Sequence, residues 1–321
     1  MDRGEDDAIQ AVLDAIGGLG SYTPRLGAGD DAAWLQSGEV VTTDTMIEGI
    51  HFDHRLSAED LGWKLVAVNA SDVGAMGGRP TWGLLTLGLP RPLDRAWLAG
   101  FCAGLAAACA RYGIRLVGGD TTRSPGPVVV GLTLAGAAAR PVLRSGGRPG
   151  DQLWVSGTLG DAAAGFLGVR GVAPPDGLAW LRRPEPPVAL GAALGEQGLA
   201  TAMMDLSDGL RRDLHRLCAA SGAGASVDPD ALPRGPALEG APDPVPYQVG
   251  FGDDYQLLFS APPERAPAIR ALAADLGVRV SPIGHLDAGP AVTLRGRAWP
   301  PLAWTHFDPD PAGPDPDLDS R

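Results

Sequence analysis

The sequence predicts an α+β protein of two domains, and three observations carry that expectation. The chain has 321 residues, more than one hydrophobic core commonly serves. Its apolar runs do not alternate strand and helix in the regular order of a doubly wound sheet. A stretch rich in Gly, Pro and Arg, "RPVLRSGGRPGD" beginning at Arg140, breaks the pattern near the middle. The expected division is therefore 1–139, 140–307, and an acidic Pro-rich tail over 308–321 with the composition of a disordered segment.

In order along the chain, a first helix is expected over 5–16, ending at Gly17 and Gly18. "EVVTTD" (39–44) reads as a strand. Ser57 followed by Asp60 resembles a capping arrangement for a helix from 58 to about 76. On it Leu61, Leu65, Val68 and Asp72 share one face, so a carboxylate closes an apolar stripe and would be buried unpaired. A second long helix is expected over 92–112, stopping at Gly113, and "IRLVGGD" (114–120) is a short strand running into two glycines. "VVVGLTLAGAAA" (128–139) gives one or two more strands. In the second half "ATAMMD" (200–205) reads as a strand, followed by a helix to Ala220 with Leu206, Leu210, Leu214 and Leu217 inward. "YQLLFS" (255–260), a helix near 263–276, and strands near 278–283 and 291–295 complete the set.

Composition is 45% hydrophobic and 20% charged, that of a folded globular protein. No run approaches the ~18 apolar residues of a membrane span, and the acidic opening "MDRGEDDAIQ" lacks a signal-peptide core, so a cytoplasmic protein is expected. Net charge is −12, against a nucleic-acid or anionic-membrane partner. The tail, with five Asp and one Arg, contributes −4 of this and leaves −8 for the body. The three cysteines, Cys102, Cys109 and Cys218, form no metal-ligand pattern, and the first two are expected in the core. Lys64 is the single lysine among 26 basic residues and is followed by Leu, so there is no Walker A loop.

Six times an apolar or Gly-rich run delivers Asp beside Ser, Thr or Gly: "GAGDDAA" (27–33), "VTTD" (41–44), "NASD" (69–72), "LVGGDTT" (116–122), "MMDLSD" (203–208) and "GFGDDY" (250–255). Any one of these could be an N-cap or turn. As a set, converging carboxylates would repel one another, and cations would have to compensate. Without a Cys/His set the natural partner is a hard divalent cation, and Mg²⁺ suits carboxylates that also meet phosphates. Thr42 and Thr43 add neutral oxygens, and glycines 118–119 allow backbone to approach a phosphate. "GAGDDA" fits a dinucleotide fingerprint as a string, but it follows no strand and carries two carboxylates where a pyrophosphate would lie.

Together "GAGDDAA", "TTDTMIEGIHF", "AVNASDVGAMGG", "LVGGDTTR", "LRSGGRPGD", "DLSDGL" and "WTHF" resemble, in order, the thiamine-monophosphate kinases. These sit in a superfamily with aminoimidazole ribonucleotide synthetase and selenophosphate synthetase. The resemblance implies an aminoimidazole ribonucleotide synthetase-like fold whose N-terminal domains pair into a barrel-like dimer interface. It also implies ATP and several Mg²⁺ ions in the cleft between domains, and phosphorylation of thiamine monophosphate to thiamine diphosphate. Carried over by position, Asp31, Thr42, Thr43, Asp44, Asp72, Asp120, Asp205 and Asp208 become metal ligands, with Asp44, Asp120 and Asp208 nearest the chemistry. Tyr112, Gly119, Asp120, Arg144 and Ser207 become ATP contacts, and His51, Asp253 and Trp304 fall where the family meets thiamine monophosphate. Asp30, beside Asp31, is expected to support the turn.

The chain departs from the family at "FGDDYQ" (251–256), where the usual string is G-G-E-D-Y-E, so Asp253 is one methylene shorter than the usual Glu. Selenophosphate synthetases carry a reactive Cys near the N-terminus, whereas the first here is Cys102. Another ATP-using member, such as aminoimidazole ribonucleotide synthetase, is the near alternative. A non-catalytic acidic metal-binding protein is the remote one.

Overall fold

Alternation along Glu39–Ile47 sets up the first half: Val40 and Met46 are buried while Thr43 and Thr45 are exposed, the period of a strand covered on one face. The computed structural model describes residues 3–16, 22–168, 178–295 and 297–300. The first elements are α1 (Arg3–Ile16), β1 (Ala33–Trp34), β2 (Glu39–Ile47), α2 (Ala58–Ala75), β3 (Arg79–Leu89), α3 (Arg95–Tyr112), β4 (Arg115–Arg123) and β5 (Val129–Ala137). The five strands form one open sheet in the order β1-β2-β5-β3-β4, antiparallel except for β3 beside β4. Helices α2 and α3 cover one face through Leu61, Leu65, Phe101 and Leu105, against Val40, Leu132 and Leu134. The other face, with Leu84 and Val117 39% and 56% exposed, is bare among the described residues.

The second half comprises β6 (Gln152–Ser156), α4 (Asp161–Leu167), α5 (Ala179–Arg182), α6 (Val188–Glu196), β7 (Ala202–Asp205), α7 (Leu210–Ser221), β8 (Gly224–Val227), α8 (Val245–Gly250), β9 (Leu257–Ala261), α9 (Ala266–Asp275), β10 (Val280–Asp287) and β11 (Val292–Leu294). Its six-stranded sheet runs β11-β8-β10-β6-β9-β7 and is buried on both faces. Leu153 and Val155 of β6 meet α7 residues Leu214 and Leu217, while Trp154 between them packs with Phe259, Leu190 and Ile269 on the opposite side. Helix α2 also reaches the second sheet, where Ser71 donates to Asp205 at the end of β7 (2.6 Å). Among the described residues no helix is long and apolar enough to cross a membrane.

The expected α+β class matches this architecture, but the expected elements omit β3, which pairs with both β5 and β4 in the first sheet, and β8 in the second, and others need local corrections. The second long helix starts at Arg95, because Asp94 caps it by accepting from the Ala96 and Trp97 amides (2.8 and 3.0 Å). Leu206 is buried but precedes α7 rather than belonging to it. Cys102 is exposed, contrary to expectation, while Cys109 is half-buried and packs against the first core. The buried stripe of α3 is Phe101, Gly104, Leu105 and Ala108, and Cys102 is turned off it by one residue, about 100°. The Ser57 cap is as expected, its hydroxyl accepting from the Asp60 amide (3.1 Å) and donating to that carboxylate (2.7 Å).

Candidate active site

Three carboxylates from distant parts of the chain meet between the two sheets. Asp31 lies in the turn before β1, Asp72 on the last turns of α2, and Asp205 at the end of β7. One oxygen from each lies within 4.8 Å of the others. Asp31 and Asp205 are buried and Asp72 is half-buried. Asp72 is not unpaired, as the sequence suggested: Thr42 Oγ1 on β2 donates to its Oδ2 at 2.6 Å. Asp44, two residues on, shares that face of β2, and its backbone N–H donates to Asn69 Oδ1 of α2 (3.2 Å).

Burial pushes all of these carboxyls upward. Asp205 rises to about 8 and Asp44 to about 6 through burial, with the neighbouring Asp31 adding to the first. Asp72 is raised well above the ordinary range by burial and then by Asp44, Asp205 and Asp31. Arg144 is the counter-charge inside the cluster: its Nη2 donates to Asp31 Oδ1 (2.5 Å), and its own backbone N–H donates to Asp30 Oδ2 (3.0 Å). Asp30 also accepts from the Asp31 amide (3.0 Å), the turn-supporting part expected of it.

Asp44, the charge neighbour of Asp72 and Asp205, lines a cleft of about 430 Å³ whose wall also holds His51, Lys64, Ser207 and Asp208, with an apolar end that includes Phe166 and Phe251. Asp208 stands beside the three carboxylates rather than among them, held by Arg216 Nη1 (2.5 Å) with Arg212 Nη1 at 3.7 Å. Asp213, fully buried on α7, accepts from the Asp208 amide (3.0 Å) and from Arg216 (3.3 Å). His51 Nδ1 accepts from the Ile47 amide (3.1 Å). Segment 205–208 is backed by the 252–256 turn, where Asp253 and Tyr255 amides donate to Ser207 and Leu206 carbonyls, each at 2.9 Å. Gly252 permits that approach, since a Cβ there would stand 1.9 Å from Ser207 O.

Other expected residues are not brought to the cluster by the single chain. Thr43 points to the opposite, exposed face of the sheet, where its hydroxyl pairs with Thr133 (3.2 Å). Asp120 lies on edge strand β4 in the row Thr45, Gly131, Thr86, Asp120, thus also on the exposed face and three strands away, about 14 Å. Gly119 is explained by strand pairing, for a Cβ would lie 1.9 Å from Leu85 O. Tyr112 closes α3 against Trp63, its hydroxyl buried without a partner among the described residues. Trp304 and the 308–321 tail lie outside the described residues. Sequence reasoning missed Lys64, Tyr255, Arg212, Arg216 and Asp213 as parts of the site. Lys64 shares the stripe of Leu61, Leu65 and Val68, so the argument that singled out Asp72 applies to it equally.

A pH dependence follows. Carboxyls raised in the folded state bind protons that the unfolded chain has already lost, so stability falls as pH rises from about 4 towards 8. Metal-free protein in chelator is expected to melt at lower temperature at pH 8 than at pH 6, and Mg²⁺ with nucleotide to flatten that slope. A melting temperature rising over the window would contradict the cluster's electrostatics.

Residues 29–138 match the family of the AIR synthase related protein N-terminal domain, and residues 148–297 that of its C-terminal domain. Over 276 residues the chain is 38% identical to the thiamine-monophosphate kinase of Salmonella typhimurium, covering 82% of this chain and 84% of that one. It is 35% identical to that of Aquifex aeolicus over 291 residues, 87% and 92% of the two chains. Among solved structures it superposes on AaThiL complexed with AMPPCP and TMP with a TM-score of 0.81 at 33% identity, covering 95% and 98% of the two chains.

Proposed function

Since this chain belongs to the thiamine-monophosphate kinase family of AIR synthase-related proteins, we propose that it transfers the γ-phosphoryl group of ATP to the phosphate of thiamine monophosphate, giving thiamine diphosphate and ADP. The observation that carries the reading is the cluster of Asp31, Asp72 and Asp205, whose charge neighbour Asp44 lines a cleft together with the basic groups Lys64, Arg212 and Arg216. The donor set fits Mg²⁺: all oxygen, with Asp31 Oδ2 buried and without a partner among the described residues, and with carboxyls raised by burial and by one another. Asp31, Asp72 and Asp205 would hold the ions, with Asp44, Thr42 and Asp208 beside them. Bound there, a divalent cation supplies charge neutralisation at the phosphate oxygens.

The chain's own residues do the positioning. Arg144 fixes Asp31 and the turn that carries it. Arg212 and Arg216 line the cleft next to Asp208 and supply positive charge towards a phosphorylated ligand. A phosphate oxygen of the acceptor is already ionised near neutral pH, so no strong general base is required. That oxygen attacks the γ-phosphorus, a new P–O bond forms, and the bond to the β,γ-bridging oxygen breaks with its electron pair leaving on ADP. Transfer is direct, without a phosphoenzyme. Tyr112, Gly119, Arg144 and Ser207 are the proposed nucleotide contacts, and His51, Asp253 and Trp304 those of the acceptor.

The protein works as a homodimer through the bare face of the first sheet. Leu84 and Val117 are exposed there, and Thr43 and Asp120 share that face, so their parts in the site depend on the paired state.

The test is an assay of the purified chain with ATP, Mg²⁺ and thiamine monophosphate, following ADP and thiamine diphosphate together. Wild type is expected to form both in equal amounts, and Asp44→Ala of proven fold to lose about 10²–10³ in kcat. Mg²⁺-dependent ATP binding without thiamine diphosphate would redirect the activity to another acceptor. Metal binding without nucleotide binding would favour the non-catalytic reading.

A further inference from the structure

We propose that Lys64 is a positioning residue for the acceptor substrate: it holds Asp253 as a hydrogen-bond acceptor at the cleft wall, so the group bound there must be a donor, as an aminopyrimidine is. This rests on the reading that the cleft takes thiamine monophosphate, and deepens it by assigning the chain's one lysine and the polarity of the ligand it selects.

Lys64 is 2% exposed on the buried face of α2, among Leu61, Leu65 and Val68. An ammonium removed from water needs a partner of good geometry. It finds one 189 residues away, with Nζ 2.9 Å from Asp253 Oδ2. Asp253 is 26% exposed and borders both the 430 Å³ cleft and a neighbouring one of about 680 Å³. The Tyr255 hydroxyl donates to the same carboxylate.

The turn is costly in itself. Asp253 and Tyr255 both adopt left-handed backbone, φ 67° and 48°, which non-glycine residues adopt only when their surroundings hold them there. Lys64 and Tyr255 donate to the carboxylate and occupy two of its roughly four acceptor positions. The remaining positions can only accept. The ammonium thus serves two ends at once: it fixes where the short Asp253 side chain points, and it fixes which hydrogen-bonding partner is accepted.

The experiment compares Lys64→Met, Lys64→Arg and the double variant Lys64→Met/Asp253→Asn in the full chain. For each, melting temperature, KM for thiamine monophosphate and for ATP, and calorimetric binding of thiamine monophosphate without ATP are measured. Lys64→Met is expected to raise KM and Kd for thiamine monophosphate about tenfold or more, with KM for ATP within about twofold. Lys64→Arg should recover part of that loss. The double variant removes both charges, so it should regain melting temperature but not substrate affinity. An analogue lacking the pyrimidine amino group should bind wild type and Lys64→Met equally.

A double variant that regains both stability and affinity would reduce Lys64 to charge compensation and overturn the proposal. So would thiamine monophosphate affinity unchanged in Lys64→Met. Lys64-dependent binding without wild-type turnover would instead overturn the kinase reading and leave this assignment standing.

Discussion

Replacing Asp72 by asparagine is expected to lower kcat by about 10²–10³ while raising the melting temperature of the metal-free protein. The two effects have one cause. Asp72 lies with Asp31 and Asp205 inside 4.8 Å, and each carboxyl raises the cost of ionising the next. Asparagine keeps the shape and can still accept from Thr42 Oγ1, so the contact between β2 and α2 survives. What is lost is a carboxyl whose ionisation burial and its neighbours disfavour, which relaxes the apo fold and removes an oxygen ligand for a hard cation. Calorimetry and steady-state kinetics on one preparation check both halves. A variant that is neither more stable nor less active would show the three carboxylates to be structural.

Arg144→Met should be the most destabilising single change at the site. It leaves Asp30 and Asp31 buried without their cation, a situation that costs about 3 kcal/mol or more. The carboxyls can escape part of that cost by taking up protons, so the loss should be larger at pH 8 than at pH 5.5. Lysine should not substitute. Arg144 reaches Asp31 through Nη2 while its Nε faces Asp30 at 3.8 Å, and a point charge cannot occupy both positions. Denaturant melts at the two pH values measure this, and an equal loss at both would mean that Arg144 acts through packing alone.

Much of the site was legible because its carboxylates stand at element ends. Asp31, Asp44, Asp72 and Asp205 each follow an apolar or Gly-rich run, and each reaches the same place. Asp72 was singled out by its position on the stripe of α2, though not the Thr42 hydroxyl that satisfies it. Thr42 and Thr43 were read together, yet neighbours in a strand face opposite ways, and only Thr42 looks towards the cluster. Asp120 went the same way for a different reason: which face of β4 carries it depends on pairing with β3, which no local pattern reveals. Lys64 was within reach of the stripe argument, but its partner Asp253 was not, because a contact across 189 residues leaves no periodic trace. The fold class could be read from element order, whereas the two-sided burial of the second sheet emerged only from strands such as β6 that feed a core on each face.

The measurement that tests the central claim most directly is titration of Mn²⁺, as a spectroscopic stand-in for Mg²⁺, into the wild type and the Asp72→Asn and Asp205→Asn variants. Each is titrated with a non-hydrolysable ATP analogue present and absent. The wild type should bind the metal tightly only with nucleotide, and each variant should weaken that binding by about tenfold or more. Metal binding unchanged in both variants would place the ions elsewhere and contradict the account of the cluster.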